Sequence, residues 1–169
     1  AISVYSNNSY IAANVALYEG EIVTEFYDSN STSNTFYINN YDVDTTSITV
    51  NIRTSNTNTT NTEWSRANTL YDVGSTSNVF FIQAAANGSY ELVFGNGTFG
   101  RKLIDGNIVE ATYRVASGAE PDGANAFTSA GAISGYSTVA ATVVSRAAGG
   151  QEYQSLDDIK FAAPRALTT

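Results

Sequence analysis

Ser47-Ile-Thr-Val-Asn-Ile-Arg53 is the stretch on which the fold turns. Ile48, Val50 and Ile52 alternate with Ser47, Thr49, Asn51 and Arg53. A strand sends successive side chains to opposite faces, so this period of two puts the aliphatics in a core and the polar set in water. On the C-terminal side, residues 55–62 are a run of Ser, Asn and Thr that can bury nothing and reads as a loop. Trp64, the only tryptophan, follows and is expected to anchor the next element. Val79-Phe-Phe-Ile82 and Tyr90-Glu-Leu-Val-Phe94 read as strands joined by a turn at Asn87-Gly88, and residues 108–115 as another strand. On the N-terminal side, residues 10–27 read as two strands or one bent strand. Ile22, Thr24 and Phe26 share one face and Val23 and Glu25 the other, with Gly20 placed for a bend. Residues 28–34 read as a polar turn, and Phe36-Tyr-Ile38 as a short strand.

Beyond residue 115 the pattern changes. Residues 116–135 are rich in Gly, Ala and Ser and read as a long connection. Thr138 to Ser145 is expected to be a final strand, apolar on both faces through Val139/Ala141/Val143 and Ala140/Thr142/Val144. Ser155 is expected to cap a short helix over 155–163, because its hydroxyl can accept an orphan backbone N–H. Asp157 and Asp158 fall in the first turn, where the helix dipole favours negative charge, and Pro164 ends the run. The expected fold is mainly β: sandwich-like antiparallel sheets with hairpins, plus that one C-terminal helix. The expected organisation is a β-rich module over 1–145, with a sub-boundary in the 55–62 loop, then a linker and helix over 146–169.

Composition narrows the chemistry. The chain has 169 residues, no histidine and no cysteine, so it lacks an imidazole base, a thiol nucleophile and a soft metal site. Its formal charge is −8, which argues against nucleic-acid or anionic-membrane partners, since both need basic patches. Residues 1–62 hold six acids against the single base Arg53, a solvated surface or a docking face for a basic partner. No stretch approaches the roughly 18 apolar residues of a membrane helix. The chain contains no Met, so it reads as beginning after a cut.

Gly95, Gly97 and Gly100 match G-x-G-x-x-G. A dinucleotide site needs that motif to open a helix, and Arg101-Lys-Leu-Ile-Asp-Gly106 runs instead into another turn signal. A kinase loop has the right hairpin setting, but the chain has no His for the catalytic loop. The structural reading is a tight hairpin turn over Gly95, Asn96, Gly97 and Gly100, of type I′ with positive φ at Asn96 and Gly97. No cofactor or metal is expected. Asn-Xaa-Ser/Thr triplets begin at Asn7, Asn30, Asn58, Asn87 and Asn96, as chance allows in a chain so rich in these residues. The pairs Asp42/Asp44 and Asp157/Asp158 lack the Asp/Asn/Gly run of a calcium loop and read as structural.

Three segments, in order, carry a resemblance. The first is Leu17-Tyr-Glu-Gly-Glu-Ile-Val-Thr-Glu-Phe26 with residues 36–50. The second is Tyr90-Glu-Leu-Val-Phe-Gly-Asn-Gly-Thr-Phe-Gly100 with Gly106-Asn-Ile-Val-Glu-Ala-Thr-Tyr113 and Gly118. The third is Gly149-Gly-Gln-Glu-Tyr-Gln-Ser-Leu-Asp-Asp-Ile-Lys-Phe-Ala-Ala-Pro-Arg165. Together they resemble the baseplate wedge family of T-even phages, and the last two also the wider J-like baseplate family of contractile tails. The resemblance implies a non-enzymatic building block that associates with other wedge proteins in a ring around the tail hub. It implies a virion location and a ring that rearranges on sheath contraction. In that family the helix after the third segment continues into a further domain, so the chain is expected to be a central module, self-associating weakly as a dimer. The alternative from another class is a β-sandwich adhesin or carbohydrate-binding module, in which exposed Tyr rings stack on sugars; a hydrolase is more distant.

Overall fold

The alternating stretch lies inside β5 (Val43–Arg53), the longest strand, and Ile48, Val50 and Ile52 are all buried. The computed structural model describes residues 2–4, 10–30, 32–137 and 139–152. The chain divides into two units, Gly20–Ala116 and the combination of Ala1–Glu19 with Ser117–Thr169. The division does not fall in the 55–62 loop, because β5 and β6 (Thr62–Arg66) pair across it, Val50 opposite Trp64.

The first unit is one seven-stranded sheet. Its remaining strands are β3 (Glu21–Asp28), β4 (Thr35–Tyr37), β7 (Val79–Ala84), β8 (Tyr90–Phe94) and β9 (Ile108–Val115). Their spatial order is β3-β9-β5-β6-β7-β8-β4. The mainly β reading holds, and the β7–β8 hairpin turns at Asn87-Gly88 as expected, with Gly88 at φ 87°. Instead of two stacked sheets, a single sheet rolls nearly closed. All neighbours run antiparallel except β6 and β7, which are parallel through Ser65↔Val79 and Arg66↔Phe80.

Rolling gives the strands one common core. Phe94 stands at its centre, with ring centroids 5.7 Å from Phe36, 5.5 Å from Trp64 and 6.4 Å from Phe80. Trp64 is buried, so it anchors β6 as its sequence position suggests. Edge-to-face aromatic pairs of this kind add about 0.5–1.5 kcal/mol beyond the area they bury. Gly20 precedes β3 at φ 119°, and a Cβ there would lie 2.4 Å from the Val115 carbonyl oxygen, so the approach of β3 to β9 requires glycine. Register slips between Asp44 and Thr49 on β5 against β9. The Ser47 hydroxyl occupies this bulge, accepting the Arg114 N–H at 2.8 Å and donating to the Asp44 carbonyl at 2.7 Å.

The second unit contains a small antiparallel pair, β1 (Ile2–Val4) with β2 (Tyr10–Ala12). The expected strand at 138–145 does not form: residues 139–145 are irregular. An apolar run makes a strand only beside a partner edge, and none of the named strands pairs with this one. The expected helix over 155–163, with its Ser155 and Asp158 cap, lies outside the described residues. Among the described residues no helix is long and apolar enough to cross a membrane.

Candidate functional site

The glycine-rich loop follows β8 directly, but it is not a hairpin turn. β8 pairs with β7 and β4, and β9 joins the sheet between β3 and β5. Nor is the turn of type I′: Gly97 has φ 89° and Gly100 φ 80°, whereas Asn96 is not among the positive-φ residues. The Asn96 carboxamide replaces the backbone strain. Its Oδ1 accepts the N–H groups of Thr98 at 2.9 Å and Phe99 at 3.1 Å. The Gly97 N–H donates to Gly100 O at 3.0 Å, Gly100 N–H to Gly74 O at 3.1 Å and Arg101 N–H to Ser77 O at 2.8 Å. Five successive donors, the groups that cradle phosphate in a nucleotide loop, are thus spent on acceptors of the loop and of the neighbouring 74–77 turn. The glycines have a packing reason: a Cβ on Gly95 would lie 2.2 Å from the Gly100 carbonyl carbon. Beside the loop is a shallow depression of about 220 Å³ lined by Thr32, Ser33, Asn34, Gly95, Asn96, Lys102 and Leu103.

The same side-chain device recurs, and sequence reasoning missed it. In all four Asn-Xaa-Ser/Thr triplets whose Asn lies among the described residues, the Asn Oδ1 accepts the N–H two residues on: Asn30 from Thr32, Asn58 from Thr60, Asn87 from Ser89 and Asn96 from Thr98. Asp44 does this with Thr46. These are Asx turns, in which a short polar side chain mimics a turn of backbone. The signal was visible as the spacing itself, each of these four triplets lying where one strand ends or a loop reverses.

Asp44 also pairs with Arg114 at 2.9 Å. Partial burial pushes its carboxyl up, but the Thr46 hydroxyl and N–H and the Arg114 guanidinium outweigh burial and hold it below the usual carboxylate range. Among the described residues no three acids gather as a metal-binding group. Asp157 and Asp158 lie outside the described residues.

A second polar cluster sits where the rolled sheet almost closes. Glu25 on β3 accepts hydrogen bonds from the Tyr27 hydroxyl and from the Asn39 side chain at 2.9 Å. The Tyr27 hydroxyl also reaches the Tyr37 carbonyl on β4 at 3.0 Å, and its ring lies 5.4 Å from Phe36. Tyr113, buried on β9, accepts a hydrogen bond from Asn40. Burial pushes the Glu25 carboxyl up, but donors from Tyr27, Asn39 and Tyr113 bring it below its ordinary value. Burial, then the neighbouring Glu25 carboxylate, pushes the Tyr27 phenol far above its ordinary value. A carboxylate with a depressed pKa held by unreactive phenols is a poor general acid or base at neutral pH. Its evident work is to join β3 to β4 by side chains where no backbone ladder forms.

The outer face of β3, β9 and β5 is ordered as well. Arg53 forms an ion pair with Glu110 and lies 5.2 Å over the Phe26 ring, and the Thr24 and Thr112 hydroxyls bond at 2.9 Å. Ile22 and Phe26 remain more than half exposed on this face. In the second unit no described side chain is buried, and ten large apolar side chains between Tyr10 and Val144 are exposed. No protein-family model matches the chain, and no curated protein matches it.

Proposed function

We propose that this chain is a structural module of a contractile-tail baseplate wedge, working by association with other wedge proteins and not by catalysis. The observation that carries this is the second unit. It exposes Val15, Leu17, Phe127 and Ile133 and buries no described side chain, a surface suited to completion by neighbouring subunits. The ordered resemblance of the three segments supports the same reading. So does the use of the conspicuous polar groups, Glu25, Asp44 and Asn96, in turns and strand closure. The module belongs to the virion, and on its own it associates weakly, burying less than the roughly 2,000 Å² of an obligate dimer. Co-expression with the other wedge proteins of a contractile tail tests the proposal: co-purification in a defined stoichiometry is expected, and consistent failure to join any wedge complex would contradict it. A carbohydrate-binding module is the second reading, favoured by exposed tyrosines such as Tyr71 and the Tyr10–Tyr136 ring pair at 5.7 Å. Saturable binding on a glycan array would move the assignment there.

A further inference from the structure

The chain contains a strand sequence without a strand and a strand edge without a ladder. Residues 139–145, Val-Ala-Ala-Thr-Val-Val-Ser, have the composition of a strand buried on both faces, yet they are irregular. Among the described residues their backbone makes no hydrogen bond, and Val144 is 84% exposed. Unpaired backbone and apolar side chains are both costly to leave in that state once a matching edge is at hand. The matching edge is β3, an eight-residue strand paired with β9 alone. Glu25 and Tyr27 fasten its second half to residues 37 and 39, but no such bridge reaches residues 21–24 among those described. Ile22 flanks this open half, 60% exposed. Charge is complementary too. β3 carries Glu21, Glu25 and Asp28, whereas residues 139–145 hold no acid and are followed by Arg146.

We propose that residues 139–145 of one copy add as a strand to the free edge of β3 in a second copy. The inference rests on the assembly role proposed above and names the surface and the segment that would serve it. Main-chain hydrogen bonds supply the affinity in such additions, and alternate side chains supply the fit, here valines against Ile22. Because each copy owns both halves, the exchange can be reciprocal and close as a two-fold dimer.

The native chain has no cysteine, so engineered thiols report without background. Ile22→Cys is mixed with Ala140→Cys, Ala141→Cys or Thr142→Cys and oxidised, with Asn58→Cys in the polar loop as control. Disulfide-linked heterodimer well above the control is expected for at least one of the three. Yields equal to the control for all three would overturn the proposal. Sedimentation of the full-length Ala141→Pro variant is the second arm. Proline removes a ladder donor at an exposed, irregular position, so folding is preserved while self-association falls about tenfold or more. A dimer unaffected by Ala141→Pro would overturn strand addition while leaving the assembly role intact on another surface. Failure to join any wedge complex, with the specific cross-link present, would sink the assembly role and leave strand addition standing.

Discussion

The two units of this chain solve the problem of apolar side chains in opposite ways. Gly20–Ala116 rolls seven strands around Phe94, Trp64 and Phe80 and keeps Val50, Val109 and Ala111 wholly from solvent. The other unit contains comparable apolar residues but no buried side chain among those described. It is fastened by polar contacts: the Glu19 carboxylate takes the N–H and hydroxyl of Ser117 at 3.0 Å each, and Asp122 takes the Gly150 N–H at 3.1 Å. Hydrogen bonds of that exposed kind contribute about 0.5–1.5 kcal/mol each, too little to offset the entropy of ordering a long irregular segment. The difference teaches that the first unit carries its own apolar core, whereas the described part of the second is joined through contacts at its surface.

Core truncation should break the symmetry of the comparison most. Phe94→Ala removes the ring that three others pack on and is expected to destabilise the scaffold by about 3–5 kcal/mol in urea unfolding. Tyr136→Ala, in the exposed unit, should stay within about 0.5 kcal/mol of the parent. Equal effects would mean that the second unit shares in the cooperative core.

Glycine substitutions sharpen the contrast at a finer scale. Gly95→Ala forces a methyl into the Gly100 backbone and should cost about 1–3 kcal/mol or more. Gly97→Val, at φ 89° with only the Lys102 Cβ in ordinary contact at 3.8 Å, should cost about 1–2 kcal/mol. Gly131→Ala, with nothing near its Cβ and no positive φ, should be neutral in thermal melts.

Acid should act on the scaffold as well, and more weakly. Glu25 and Asp44 both have folded pKa values below their ordinary ones, so each stabilises the folded state above that ordinary value. The contribution is lost as pH falls through the folded pKa. Glu25→Gln should therefore lower stability at neutral pH by about 1 kcal/mol or less and flatten the acid limb of the stability profile. An unchanged acid limb would show that the β3–β4 closure does not depend on the carboxylate.

How much of this was legible in the sequence differs along the chain for physical reasons. β5, the β7–β8 hairpin and Trp64 were readable because one face is buried and the pattern is local. The rolling of the sheet was not, because the approach of β3 to β4 depends on Glu25 and Tyr27 meeting Asn39 and Tyr37 through side chains, a pairing that no periodicity records. The parallel β6–β7 pair leaves no local trace either. Residues 139–145 misled because their valines record a preference for pairing, not the presence of a partner. The missing helix sets the glycine motif apart from dinucleotide loops, but the geometry of the turn itself differs from the hairpin expected. Asn96 bonds through its side chain and so needs no positive φ.

Hydrogen exchange on the dilute full-length chain tests the central claim most directly, because it reads both units in one experiment. Amides of β5 and β9 should exchange only through global opening, while those of residues 124–145 exchange nearly as fast as unstructured peptide. Protection of residues 124–145 equal to that of β5 would contradict the account, since it would require a second core where no described side chain is buried.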